Sequence, residues 1–330
     1  MLPQTWLTEN FDLKLPVILA PMFLISNEKM LEEAGRAGIM GCVPALNYRS
    51  HELLAQAIES LQKKKTGPFG INLIVNKSNY KLAAQLDVCL DLEPDFILTS
   101  LGSPHDVIQK FRSKKTKIFC DVHEIQYAKK VEEMGADALI AINSGAGGHL
   151  GKISSSVFLP KLKRQCKIPV ISAGGVGTGE GLLSVLSLGA EGASVGSPFI
   201  PCVESPASPD YKKACLDHEA EDIVLTTKIS GIPCTIIETP YVKKIGTKQN
   251  FIEAFLSQHK KIKKYIQTLT YLKGIKVLEK AAFSSTYKTV WCAGQSIDLV
   301  RETKSIGDII QNMKEEYEQA YGRLKSIHSN

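Results

Sequence analysis

The sequence predicts an α/β protein, a (β/α)8 TIM barrel with a smaller, mainly helical C-terminal subdomain. Two observations lead to this prediction. Short apolar runs alternate with segments of helical spacing between residues 17 and 196, and hydrophobicity within the runs is continuous rather than alternating. Continuous hydrophobicity is typical of strands buried on both faces, as in a parallel sheet covered by helices. Eight such runs favour a closed barrel over a doubly wound sheet.

Each predicted strand is bounded by turn residues. The eight are, in order, Val17–Met22, Gly38–Val43, Phe69–Val75, Asp95–Ser100, Lys117–Val122, Asp137–Ile142, Pro169–Ala173 and Gly192–Gly196. An apolar stripe at Leu53, Leu54, Ala57, Ile58 and Leu61 predicts a helix between two of them, and Gly135 has the position of a helix C-cap. A dinucleotide-binding fold would carry Gly-x-Gly-x-x-Gly after the first strand, and no such fingerprint follows it.

The chain divides into three predicted parts. Residues 1–204 form the barrel, residues 205–290 a helical substrate or lid subdomain, and residues 291–330 a return segment with a terminal helix that packs on the barrel. The middle part is rich in Lys and Tyr. Its helix-like apolar spacing is carried by Ile252, Ala254, Phe255, Ile262, Tyr265, Ile266 and Leu269.

Composition limits the partners. Lys and Arg number 40 against 34 Asp and Glu, a net charge of +6, and the charges are mixed along most of the chain. The densest basic run, Lys260–Lys264, is more typical of a solvated helix face than of a nucleic-acid site. The eight cysteines form no Cys-x-x-Cys pair, which argues against a zinc knuckle or a disulfide scaffold. With no signal peptide and no 18-residue apolar run, we expect a cytoplasmic protein without membrane or nucleic-acid partners.

The loop after the sixth predicted strand is the most informative. It reads Asn143-Ser-Gly-Ala-Gly-Gly-His149-Leu-Gly151, with four glycines in seven residues. Glycines allow the backbone to approach a planar or anionic ligand closely. A histidine in such a loop is a candidate general base or hydrogen-bond donor, because its pKa lies near working pH. From position alone, an incidental surface histidine is an equal alternative. The barrel fold favours function, since active sites lie at the C-terminal ends of the strands.

Two further glycine-rich turns follow the seventh and eighth strands. They read Ala173-Gly-Gly-Val-Gly-Thr-Gly-Glu-Gly181 and Val195-Gly-Ser-Pro198. Barrels of this kind bind phosphate at these two loops, through backbone N–H groups and helix N-termini. Tight turns needed only for packing are the weaker alternative. The Gly-x-x-x-x-Gly-Lys-Ser/Thr pattern of a P-loop is absent.

Other candidates are weaker. Asn72 stands inside the third strand, an unusual place for an amide, and Ser100 closes the fourth with a hydroxyl. His105 and His123 also follow strands, and surface or helix-start positions explain both better. No cysteine lies in the barrel loops assigned to the site, which argues against a thiol nucleophile. No His, Asp, Glu or Cys grouping has metal-ligand spacing.

Eight motifs in collinear order resemble the nitronate monooxygenases, formerly called 2-nitropropane dioxygenases, which are related to flavin-dependent enoyl-ACP reductases. The similarity covers nearly the whole chain. The motifs are Ala20-Pro-Met22, Gly70-Ile-Asn-Leu73, Thr99-Ser-Leu-Gly102, Gly145-Ala-Gly-Gly-His149, Ala173-Gly-Gly175, the run Gly189–Phe199 with Glu204–Tyr211, and Trp291-Cys-Ala-Gly-Gln295.

The resemblance implies FMN bound at the barrel mouth and His149 as the catalytic histidine, acting as base or hydrogen-bond donor to the nitro group. The family oxidises alkyl nitronates, or nitroalkanes, with O2 to a carbonyl compound and nitrite. Small-molecule substrate and O2 are thus the expected partners, and a homodimer is one candidate assembly. The predicted cofactor-binding residues are Ala20, Pro21, Met22, Asn72, Ser100, Gly147, Gly148, Gly174, Gly175, Gly196 and Ser197.

The sequence departs from the family at three positions. Many relatives carry Gln or Glu in place of Ile142 and Glu in place of Gly145, so one polar contact is lost or supplied elsewhere. Some carry Lys in place of Asp121, which changes the charge near the cofactor. Two alternatives therefore stay open. One is an NAD(P)H-dependent FMN reductase of enoyl thioesters or quinones. The other is a flavin-binding protein without turnover, whose residues 205–290 serve a partner.

Overall fold

The computed structural model describes residues 2–227, 233–247 and 290–328. Its strands are β1 (Val17–Leu19), β2 (Met40–Pro44), β3 (Phe69–Ile74), β4 (Phe96–Ser100), β5 (Lys117–Val122), β6 (Ala138–Ile142), β7 (Gly148–His149), β8 (Val170–Ala173), β9 (Gly192–Val195), β10 (Ile223–Thr226) and β11 (Cys234–Ile237). Eight of them close into a parallel barrel in the order β1-β2-β3-β4-β5-β6-β8-β9, with β9 pairing back to β1. The predicted (β/α)8 barrel is confirmed, and each of its strands overlaps a predicted run.

Helices connect the strands and cover the barrel. They are α1 (Trp6–Phe11), α2 (Glu28–Ala37), α3 (His51–Lys64), α4 (Leu82–Leu92), α5 (His105–Phe111), α6 (Ile125–Met134), α7 (Ser155–Gln165), α8 (Gly179–Ser187), α9 (Pro209–Asp217), α10 (Pro240–Ile245) and α11 (Ile306–His328). Short 3-10 turns lie at Ala45–Asn47, Ser197–Phe199, Ala220–Asp222 and Gln295–Leu299. Gly135 ends α6 in the left-handed conformation at φ +100°, as its position predicted.

Aromatic side chains close the barrel toward the N-terminal ends of the strands. Phe96 and Phe119 stack inside the barrel with ring centroids 4.8 Å apart. Helix α1 adds Trp6 and Phe11, whose rings lie 6.0 and 5.9 Å from that of Phe119. Burying several aromatic rings together contributes strongly to stability. With this end filled, a ligand has room only at the opposite, C-terminal end of the barrel.

The C-terminal helix α11 packs against α8 and so supports the turn that precedes α8. Gly179 makes the close approach possible, because a Cβ there would lie 2.1 Å from the backbone oxygen of Met313. The Gly179 N–H donates to the Glu316 carboxylate at 2.7 Å. The start of α8, which follows the glycine-rich turn after β8, is therefore fixed by the end of the chain.

A second, three-stranded sheet has the order β10-β11-β7, with antiparallel pairing throughout. Its strand β7 is part of the glycine-rich loop itself, so residues beyond the barrel pair directly with the candidate site. Strands β10 and β11 lie in the segment 205–290, for which helices were predicted. The apolar series from Ile252 to Leu269 and the run Lys260–Lys264 lie outside the described residues, and the division into three parts stays a prediction. In the described ranges, no helix is both long enough and apolar enough to cross a membrane.

Candidate active site

A cavity of about 340 Å³ opens at the C-terminal end of the barrel strands. It has the size of a small-molecule site. All twelve residues singled out from the sequence line it, namely Ala20, Pro21, Met22, Asn72, Ser100, Gly147, Gly148, His149, Gly174, Gly175, Gly196 and Ser197. The barrel topology brings together residues that are far apart in the sequence. The two outermost, Ala20 and Ser197, are 177 positions apart.

The glycine-rich loop is held in shape by Asn143, a buried side chain at its start. The amide nitrogen of Asn143 donates to the Gly174 carbonyl at 3.0 Å, and its amide oxygen accepts from the Gly145 N–H at 2.8 Å. The side chain thus ties the loop after β6 to the loop after β8. Because buried polar groups are costly when unpaired, this pairing specifies one arrangement of the two loops.

Glycine is required at two points where these loops approach other backbone. A Cβ at Gly174, where φ is +114°, would lie 2.3 Å from the Ala146 nitrogen. A Cβ at Gly147 would lie 2.7 Å from the Gly294 nitrogen. Side chains are excluded here by sterics and, at Gly174, by the left-handed conformation. The segment around Gly294 therefore braces the loop from outside, and the Gly294 N–H also donates to Ser197 Oγ at 2.9 Å.

Other glycines of the loops border open space instead. A Cβ at Gly148 would meet no atom within 4 Å, and one at Gly175 would meet only the Cα of Gly145, at 4.0 Å. Both glycines have positive φ, at +72° and +77°. Bare backbone facing a cavity is the arrangement that cradles phosphate and planar groups. The residues present thus fit an anionic cofactor with a phosphate.

Three polar side chains from β3, β4 and β5 are hydrogen-bonded in series in the cavity wall. Asn72 donates from its amide nitrogen to the Leu98 carbonyl at 3.0 Å and to Ser100 Oγ at 2.7 Å. Ser100 in turn donates to an Asp121 carboxylate oxygen at 2.5 Å. Burial raises the pKa of Asp121 to about 7, and the Ser100 hydrogen bond partly offsets this rise. Asp121 therefore exchanges a proton near neutral pH, and the Asn72 amide oxygen is left to accept from a ligand.

His149 lies on β7, where it is the antiparallel partner of Cys234 on β11. Burial lowers the pKa of His149 below its usual value. The imidazole is therefore neutral at neutral pH, with one ring nitrogen able to accept a proton and the other able to donate a hydrogen bond. The weaker candidates His105 and His123 are both exposed and do not line the cavity.

Two cysteines of the cavity wall were not predicted from the sequence. Cys234 and Cys292 both line the cavity, so its wall holds two thiols. They come from β11 and from the segment after residue 290, not from the barrel loops that were searched. The motif Trp291-Cys-Ala-Gly-Gln295 was the available signal. Among the described residues, no group of three or more His, Cys, Asp or Glu side chains could hold a metal ion.

Comparison with known proteins identifies the family. The family model described as nitronate monooxygenase matches residues 77–316. The chain belongs to the nitronate monooxygenase family. It is an oxidoreductase, and the family is one of flavin enzymes.

Individual relatives of this nitronate monooxygenase family member carry different names. A probable nitronate monooxygenase of Staphylococcus saprophyticus is 27% identical over 73% of this chain and 81% of its own. A (3aS,4S,5R,7aS)-5-hydroxy-7a-methyl-1-oxo-octahydro-1H-indene-4-carboxyl-CoA dehydrogenase of Rhodococcus jostii is 26% identical over 75% of this chain and 69% of its own. The structure of FabK from Thermotoga maritima superposes with a TM-score of 0.86, at 26% identity, over 98% of this chain and 99% of that one.

Proposed function

We propose that the protein is an FMN-dependent nitronate monooxygenase. It oxidises alkyl nitronates such as propionate 3-nitronate, or nitroalkanes, with O2 to a carbonyl compound and nitrite. The observation that carries this proposal is the position of His149. Its neutral imidazole lines the same cavity as the bare glycine backbone of the loops after β6, β8 and β9. A proton acceptor beside a phosphate cradle is what a flavin reaction on an acidic C–H bond requires.

Two walls of the cavity would hold FMN. The phosphate and ribityl chain would bind the backbone of Gly147, Gly148, Gly174, Gly175, Gly196 and Ser197. The ring system would lie against Ala20, Pro21, Met22, Asn72 and Ser100. When bound, FMN supplies the electron transfer and the oxygen chemistry that no side chain of this protein provides.

His149 would handle the proton. With a neutral nitroalkane, one imidazole nitrogen accepts the proton from the carbon next to the nitro group, which leaves the nitronate. With a preformed nitronate no proton removal is needed, and the imidazole donates a hydrogen bond to a nitro oxygen instead. Positioned general bases of this kind contribute roughly 10²–10⁴-fold to a rate. The two substrate forms therefore separate the two roles of the histidine.

The segment 205–290 would cover the cavity as a lid. The described part of that segment supports this role: Tyr211 and Cys234 line the cavity, and β11 pairs with the strand that carries His149. Residues on both sides of the site would thereby exclude water from it. The homodimer and the cytoplasmic location stay predictions.

The proposal is tested by O2 consumption and nitrite release from FMN-loaded protein with propionate 3-nitronate and several alkyl nitronates, without nicotinamide. We expect both signals with at least one of these nitronates. Their absence across the whole series would contradict the proposal. Turnover of an enoyl thioester or a quinone with NAD(P)H in the same preparation would replace it with the reductase alternative.

A further inference from the structure

Two cysteines from different segments meet in the wall of the cavity. Cys234 lies on β11 and is 3% exposed, and the half-buried Cys292 packs against the same small apolar cluster. Each thiol shifts the pKa of the other, and the Cys234 thiol also donates to the Thr226 carbonyl at 3.7 Å. Both line the cavity, and all eight cysteines of the chain are free thiols. Two thiols in contact beside a ligand cavity have the arrangement of a pair that can be oxidised together.

We propose that Cys234 and Cys292 are a redox-active thiol pair that closes to a disulfide when hydrogen peroxide enters the cavity. The site is a modification site in addition to the monooxygenase site, and its chemistry does not depend on nitronate turnover. A flavin site that reduces O2 is one place where peroxide arises, so the pair is also near a source of its oxidant.

The two sulfurs have different roles. The neighbouring Cys292 thiol favours the thiolate of Cys234 and lowers the pKa of Cys234 against the opposing effect of burial. The same contact and burial raise the pKa of Cys292. The thiolate is the nucleophilic form of cysteine, so Cys234 is the sulfur that attacks and Cys292 the one that resolves.

The reaction balances with peroxide alone. The Cys234 thiolate attacks one oxygen of hydrogen peroxide, the O–O bond breaks, and a sulfenic acid forms with release of hydroxide. The Cys292 sulfur then attacks the Cys234 sulfur, forms the S–S bond and displaces a second hydroxide. The two thiol protons convert both hydroxides to water, so the pair loses two electrons and peroxide gains them.

Other cysteines lack this setting. Cys42 and Cys89 are near each other, yet both are fully buried and neither lines the cavity. Oxidation of the Cys234–Cys292 pair would also affect the candidate active site, because each cysteine belongs to a segment that contacts site residues. Cys234 is the strand partner of His149, and Cys292 belongs to the segment that braces Gly147 and Ser197 through Gly294. The disulfide would lock these two parts of the wall together.

The test is a thiol map of the FMN-loaded, full-length protein. The protein is treated with hydrogen peroxide, blocked with N-ethylmaleimide, digested and measured by mass spectrometry with and without dithiothreitol. We expect a linked pair of peptides containing Cys234 and Cys292, lighter than the two thiol peptides by two hydrogen atoms and absent after dithiothreitol. Activity lost on oxidation should return with dithiothreitol.

Variants separate the roles. In Cys292→Ser the linked pair should disappear, and dimedone should trap a sulfenic acid on Cys234. Cys166→Ser changes a thiol at the end of α7, outside the cavity, and should keep the linked pair. The proposal is wrong if both wild-type thiols stay fully alkylated after peroxide, or if the cysteines pair only with other partners. The wild-type map decides this even where a variant fails to fold.

Discussion

Cys234 and His149 lie directly opposite each other in the antiparallel pair of β11 and β7. Opposed residues of an antiparallel pair project to the same face of the sheet, and both side chains line the cavity. The position of the candidate catalytic histidine is therefore set by a strand from outside the barrel. The barrel loops provide the glycine cradle, the segment around Gly294 braces it, and the added sheet fixes the backbone position of His149.

Replacing the histidine should separate binding from chemistry. We expect His149→Ala to retain FMN and to lower kcat with a neutral nitroalkane by roughly 10²–10⁴-fold, because proton removal loses its base. The loss should be smaller with a preformed nitronate. His105→Ala, at an exposed histidine outside the cavity, is the control. Steady-state rates with the two substrate forms measure the difference, and an unchanged nitroalkane rate would remove the proposed role.

The pH profile of that reaction follows from the direction of the His149 pKa shift. Burial lowers the pKa of His149, so the imidazole stays neutral until the pH falls below its usual titration range. We expect kcat/KM with a neutral nitroalkane to be constant through the upper part of that range and to fall only below it. The acid limb should vanish in His149→Ala. A limb that persists in the variant would assign the titration to another group.

Asp121 should make the stability of the protein depend on pH. Its pKa is about 7 in the folded protein, against an ordinary value of 3.8, so the folded protein holds the proton more tightly than the unfolded chain. The stability contributed by the protonated carboxyl is fully present below pH 3.8 and is lost as the pH rises through about 7. The total is on the order of 4 kcal/mol.

Urea unfolding of wild type and Asp121→Asn at pH 5 and pH 8 measures this effect. We expect the wild type to lose stability relative to the variant between the two pH values. Ser100→Ala provides a matched change, because the Ser100 hydrogen bond lowers the pKa of Asp121. Without that hydrogen bond, the pH at which the Asp121 contribution to stability is lost should be higher. Equal pH dependence in wild type and Asp121→Asn would contradict the assignment.

Gly174 should be intolerant of any side chain. In Gly174→Ala the added methyl group meets the Ala146 backbone and forces a residue into the left-handed region, at a cost of roughly 1–3 kcal/mol. The contact between the loops after β6 and β8 should loosen, and FMN should bind at least about tenfold more weakly. Gly181→Ala is the control, since its Cβ would have ordinary contacts no closer than 3.6 Å. Flavin fluorescence titration and thermal unfolding give the two readouts. Equal FMN affinity in both variants would argue against the cradle.

The barrel could be predicted from the sequence because its strands are buried on both faces. Their apolar runs are therefore continuous, and even short ones such as Val17–Leu19 stand out. The glycine turns were visible for a similar reason, since close backbone approach leaves few residue choices at Gly147 and Gly174.

The small sheet could not be predicted in this way. Strand β7 has only two residues, Gly148 and His149, and lies inside a glycine run with no alternation to detect. Its partner β11 is 85 positions away when counted from His149 to Cys234, and nothing local indicates their pairing. The hydrogen bond between Ser100 and Asp121 also depends on the register of the barrel, because the two residues lie on the adjacent strands β4 and β5.

The most direct test of the central claim is the visible spectrum of FMN-loaded protein under anaerobic conditions, with an alkyl nitronate and with NAD(P)H added separately. The proposed function predicts loss of the flavin absorbance with the nitronate, its return on admission of O2 together with nitrite, and no comparable change with NAD(P)H. Rapid bleaching by NADH or NADPH and none by any nitronate would contradict it.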